Sequence, residues 1–133
     1  MINIYTDASF DLATGLGVYC VVIDTGDGEQ PTWYTEIADD GLSPSHAEHE
    51  GIIAALNSAK RFKRKVTIYC DNMSAIKACT AQATREGVRL LHIKGHQLGK
   101  DDISVSDHVK RHHWADTVAR NELNERLKKT KEN

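Results

Sequence analysis

The chain has 133 residues, with 17 Lys+Arg against 19 Asp+Glu and a formal net charge of −2. That length fits one domain over residues 1–133 with a core of its own, and 40% hydrophobic with 27% charged residues is too apolar for disorder and too polar for a membrane protein. No apolar run nears the roughly 18 residues of a spanning helix, the N-terminus lacks signal-peptide character, and Cys20, Cys70 and Cys79, with no CxxC spacing, read as reduced thiols of a cytoplasmic protein.

Ile2-Asn3-Ile4-Tyr5-Thr6-Asp7 alternates as a half-buried strand does, with Ile2, Ile4 and Thr6 on one face. Leu16 to Asp24 is rich in β-branched and aromatic residues and predicts a central strand. The turn signal Thr25-Gly26-Asp27-Gly28 leads to a third strand, Pro31 to Ile37, completing an antiparallel meander. Ser43-Pro44 supplies an N-cap and a first-turn proline for a helix from Pro44 to about Arg61. Val66 to Asp71 is a fourth strand, Ser74 to Thr80 a short helix, and Val88 to Lys94 a fifth strand. A polar loop from Gly95 to about Asp102 precedes a long helix from about Ser106 to Lys128. The order βββαβαβα describes an α/β layer sandwich: a five-stranded mixed sheet, three antiparallel strands then two parallel additions, flanked by helices.

Acidic residues occupy unexpected places in this scheme. Ile4-Tyr5-Thr6-Asp7 and Ile68-Tyr69-Cys70-Asp71 share the pattern Ile-Tyr-x-Asp, each ending a strand. Strands joined by one helical crossover run parallel, so Asp7 and Asp71 would lie side by side at the sheet edge where α/β proteins bind ligands. Glu48 heads an apolar helical stripe of Ile52, Ala55, Leu56 and Ala59; the alternative is a capping box with Ser45. Asp116 borders the apolar stripe of the last helix, beside Trp114. Gathered together, Asp7, Glu48, Asp71 and Asp116 would repel one another unless cations neutralised them. Oxygen donors of this kind select Mg²⁺ or Mn²⁺, and a pair of such ions serves phosphodiester hydrolysis.

Charge is divided along the chain. Residues 1–59 hold ten acids and no Lys or Arg, whereas residues 60–133 hold all 17 cations and the other nine acids, −10 against +8. Lys60, Arg61, Lys63, Arg64 and Lys65, with Arg85, Arg89, Lys94 and Lys100, are candidates for phosphate contact; the alternative for the Lys60–Lys65 run is a solvated helix end. Five of seven histidines lie between His92 and His113, and His108 and His112 are spaced i, i+4 as a zinc pair would be, without a recognised zinc pattern.

Five ordered segments resemble the type 1 ribonuclease H family: Tyr5-Thr6-Asp7-Ala8-Ser9, Ala47-Glu48-His49-Glu50 with the helix that follows, Ile68-Tyr69-Cys70-Asp71-Asn72, Ile93-Lys94-Gly95-His96 and Ala115-Asp116-Thr117-Val118-Ala119. They span about residues 2–122 and carry all four acids. The resemblance implies a ribonuclease H-like fold and an endonuclease that hydrolyses the RNA strand of RNA–DNA hybrids, leaving 3′-hydroxyl and 5′-phosphate ends. Asp7, Glu48, Asp71 and Asp116 would be the ligands of two Mg²⁺ ions, with Mn²⁺ as a substitute. His96 would assist proton transfer or product release, and Ser9, Ser45, Asn72, Lys94 and His112 would contact nucleic acid. The implied protein is a monomer with no membrane contact.

Departures from the family pattern bear on substrate grip. Only 25 residues separate Asp71 from His96, too few for the extra helix and basic handle of many bacterial members. A protein partner is one way to supply the affinity the handle would give. His112 stands four before the last Asp where the family often has Asn, and Ser45 stands where Asn often precedes the helix Glu. The alternatives are a metal-dependent nuclease of the same superfold acting on DNA, and a non-catalytic nucleic-acid-binding module.

Overall fold

A computed structural model describes residues 1–38, 43–94 and 107–131. Its elements are β1 (Ile2–Phe10), β2 (Gly17–Asp24), β3 (Thr32–Ile37), α1 (Pro44–Ala59), β4 (Val66–Cys70), α2 (Met73–Arg85), β5 (Arg89–His92) and α3 (Asp107–Lys131), in the expected order. One sheet runs β3-β2-β1-β4-β5. β1 pairs antiparallel with β2 and parallel with β4, and β5 extends the parallel side. This is the ribonuclease H-like topology.

Residue alternation along β1 sends its side chains into two separate cores. Ile2 and Ile4, with Val21, Ile23 and Ile68, meet Ile52, Ala55 and Leu56 of α1 and Ala75, Ile76 and Cys79 of α2. On the opposite face Tyr5, Cys20 and Val22 meet Ala115 and Ala119 of α3, with Tyr69, Trp114 and Val118 at the margin. Helices thus cover both faces. Leu56 is fully enclosed between α1 and the sheet. Leu56→Ala is expected to lower unfolding free energy by about 2–5 kcal/mol, read from the urea midpoint at constant slope.

Several boundaries differ from the sequence expectation, each for a physical reason. β1 continues past Asp7 to Phe10 because β2 keeps pairing with it, through Asp7↔Cys20 to Phe10↔Gly17. α1 stops at Ala59 because Arg61 and Phe62 turn tightly onto the carbonyls of Ser58 and Ala59. α2 runs to Arg85 rather than Thr80, since Ala83 extends the buried stripe of Ala75, Ile76 and Cys79. Its polar residues Thr80 and Thr84 face outward, and Gly87, at φ 71°, ends the turn. The N-cap of α1 is Ser43, whose Oγ accepts from the His46 amide at 3.1 Å; Ser45 is therefore not the cap. All three cysteines are free and buried. Among the described residues, no helix is long and apolar enough to cross a membrane.

Candidate metal centre

Parallel pairing of β1 with β4 sets Ile4 opposite Ile68 and Tyr5 opposite Tyr69. The same offset carried two residues on brings Asp7 beside Asp71, just where β4 ends and β1 continues. Glu48 reaches this edge from the first turns of α1. Gly51, one turn later, lets the helix sit close to the sheet, since a Cβ there would lie 3.3 Å from Tyr19 Cβ. Glu48 is held by Cys70, whose Sγ donates to its Oε2 at 3.3 Å. Asp116 approaches from α3, paired one turn on with Arg120.

Two overlapping donor groups result. Asp7, Asp71 and His112 offer ligand atoms within 4.8 Å of one another, and so do Glu48, Cys70 and Asp71. Asp116 joins neither group, yet its charge reaches Asp7. Asp7 and Glu48 are each only 6% exposed. Burial, then the charges of Glu48 and Asp71, a hydrogen bond with Glu48 and the charge of Asp116 push the Asp7 carboxyl up to about 11. Burial is also the chief reason that Glu48 is raised to about 8, the charge of Asp71 adding to it. Carboxylates this crowded ionise together only beside positive charge. The donor set, mainly hard oxygen, therefore fits divalent cations.

The remaining candidates scatter. Asn72 follows Asp71 directly but serves as the N-cap of α2, its Oδ1 accepting from the Ala75 amide at 2.8 Å. Ser9 is half-buried on β1 beyond Asp7, and Ser45 is half-buried in the first turn of α1. Lys94 is exposed just past β5, on the side of the sheet where β4 ends. His96 lies outside the described residues, as does Lys100. His112 is buried, 4% exposed, against Asp7 and Asp71.

Neither the thiol support of Glu48 nor the position of His112 was anticipated from sequence. The available signal was the i, i+4 spacing of His108 and His112, which the structure divides between two tasks. Nδ1 of His108 hydrogen-bonds the Tyr5 hydroxyl at 2.7 Å, and its ring stacks on Tyr69 at 4.6 Å between centroids. Tyr5 and Tyr69 stack in turn at 5.0 Å. His112 goes to the carboxylates instead.

The basic run Lys60–Lys65 leads into the start of β4, at the opposite end of the strand from Asp71. Arg64 binds Asp27 through two bonds of 3.0 and 3.1 Å, and Lys60 lies 3.4 Å from Glu86. Arg85 and Arg89 share that far end, at the close of α2 and the start of β5. These cations form an exposed rim away from the carboxylate cluster, where Arg64 is paired with Asp27 and Lys60 with Glu86 at the C-cap of α2.

Comparison with known proteins agrees with this topology. The family described as reverse transcriptase-like matches residues 5–121. The prototype foamy virus protease–reverse transcriptase superposes with a TM-score of 0.71 at 16% identity over 90% of this chain, which spans 20% of that protein's length. The solution structure of the foamy virus RNase H domain gives 0.71 at 15% identity, covering 90% of this chain and 92% of that domain. LC11-RNase H1 in complex with an RNA/DNA hybrid gives 0.56 at 18% identity, covering 71% and 86%. No curated protein sequence matches the chain.

Proposed function

The chain belongs to the reverse transcriptase-like family, with a ribonuclease H-like fold, and from that premise we propose that it is a metal-dependent endoribonuclease hydrolysing the RNA strand of RNA–DNA hybrids. The observation that carries this reading is the crowding of Asp7, Glu48 and Asp71 at one sheet edge, with Asp116 near enough for its charge to act on Asp7 and with the Asp7 and Glu48 carboxyls raised by burial and by their neighbours' charge. The hybrid bound by LC11-RNase H1, a protein of the same fold, supports the choice of substrate.

Asp7, Glu48, Asp71 and Asp116 would hold two Mg²⁺ ions, or Mn²⁺ in their place. Bound divalent ions supply activation of water and stabilisation of the leaving oxygen. The protein's own part is positioning. Cys70 fixes Glu48, Arg120 restrains Asp116, and the β1–β4 register sets Asp7 against Asp71. Lys94, exposed just past β5, would contact a backbone phosphate, and Ser9, Ser45 and Asn72 are assigned further contacts with the nucleic acid. His96 is assigned proton transfer or product release. The protein acts as a monomer on the hybrid, with a protein partner as the source of any added grip, and the placement is cytoplasmic.

Labelled RNA–DNA hybrid, double-stranded RNA and double-stranded DNA, each incubated with Mg²⁺ or Mn²⁺, test the proposal together. The expected result is cleavage of the RNA strand of the hybrid alone, with 3′-hydroxyl and 5′-phosphate products. Cleavage of duplex DNA in its place assigns the fold to DNA, and binding without any cleavage assigns it to a non-catalytic module.

A further inference from the structure

We propose that His112 is a nitrogen ligand to the ion held by Asp7 and Asp71, so that this centre selects first-row transition ions such as Mn²⁺ over Mg²⁺. The inference rests on the reading of the carboxylate cluster as a metal centre and adds to it a donor of another chemical kind.

Three observations converge on His112. Its ring nitrogen lies within 4.8 Å of carboxylate oxygens of both Asp7 and Asp71, and those oxygens lie equally near each other. Ligands about 2.1 Å from a common ion are up to about 4.2 Å apart, so small side-chain movements would close the three around one. The ring is also 4% exposed and enclosed, unlike a histidine that samples solvent and substrate. Finally, the first turn of α3 is anchored by its neighbour: His108 is bonded to Tyr5 and stacked on Tyr69, which lie two residues before Asp7 and Asp71 along the chain. One helical turn on, the i, i+4 geometry sets His112 over the two aspartates that follow those tyrosines.

The chemical consequence follows from donor softness. Mg²⁺ favours oxygen and keeps its waters, whereas an imidazole nitrogen strengthens binding of transition ions. An oxygen-only cluster separates the two ions less strongly.

Wild-type protein titrated with Mn²⁺ alone, followed by calorimetry and pulsed electron paramagnetic resonance, gives the test. Bound Mn²⁺ is expected to show the modulation of a directly bonded imidazole nitrogen. In His112→Asn the modulation is lost while Mn²⁺ still binds, and the affinity ratio of Mn²⁺ to Mg²⁺ falls at least about tenfold. His112→Gln, nearer to imidazole in length, replaces Asn if circular dichroism shows that variant unfolded. Bound Mn²⁺ without nitrogen modulation in the wild type, or modulation that persists in the folded His112 variant, overturns the inference and leaves the carboxylate centre standing. Failure of the underlying reading looks different: no Mn²⁺ binding at all, or binding unchanged in Asp71→Asn.

Discussion

Asp71→Asn is expected to lower divalent-ion-dependent cleavage of an RNA–DNA hybrid by on the order of 10³-fold, the equivalent of several kcal/mol of transition-state stabilisation. Asp71 is the one residue common to both donor groups, facing Asp7 and His112 on one side and Glu48 and Cys70 on the other. Losing its charge therefore weakens the whole cluster, where loss of a peripheral ligand would weaken one part. The substitution keeps the side-chain volume, and Asp71 sits past the end of β4, outside both apolar cores. Folding should consequently be spared. Steady-state cleavage and circular dichroism on the same preparation check both halves, and full activity in this variant with Mg²⁺ would refute the four-carboxylate centre.

Without added metal, stability is expected to fall as pH rises from 5 to 8, the reverse of the usual behaviour of a paired carboxylate. In the unfolded chain Asp7 and Glu48 ionise near their ordinary values of 3.8 and 4.5, while in the fold they hold protons up to about 11 and about 8. Between those limits the folded state binds more protons than the unfolded one. The unfolding free energy then falls as pH rises for as long as the fold retains those protons. The loss is absent well below the ordinary value of 3.8, where both groups are protonated in both states. Divalent ions displace those protons, so the stabilisation they give should be larger at pH 8 than at pH 5. Urea unfolding at the two pH values, with chelator and with Mg²⁺ or Mn²⁺, decides it. A metal-free stability that rises with pH contradicts the crowded-carboxylate account.

Much of this site was legible because its signals are local. The repeated Ile-Tyr-x-Asp needs only the period of a strand and the rule that a helical crossover makes strands parallel, and the register of Ile4 on Ile68 then follows. Glu48 at the head of an apolar stripe needs only the helical period. What escaped depends on partners distant in sequence. That β1 outlasts Asp7 is decided by β2. The same holds for the Lys60–Lys65 run, whose place at the far end of β4 depends on where α1 hands over to the strand. From sequence, His112 stands where the resemblance places a nucleic-acid contact, and its spacing from His108 suggests only a zinc pair. Only the docking of α3, through the stack of His108 on Tyr69, turns it toward Asp7 and Asp71.

The candidate ligands come from β1, α1, β4 and α3, and this has a kinetic consequence. If His112 or Asp116 of α3 shares in holding the metal, a bound ion would gain that part of its binding energy only from a chain in which the final helix has docked on the sheet. Species with the sheet alone offer it little. Bound metal would then act on the native state and not on early intermediates, and is expected to show as slower unfolding with the refolding rate hardly changed, in stopped-flow unfolding and refolding with and without divalent ions. The metal of the proposed centre would thereby act as a latch, lengthening the lifetime of the folded protein without guiding the chain toward it.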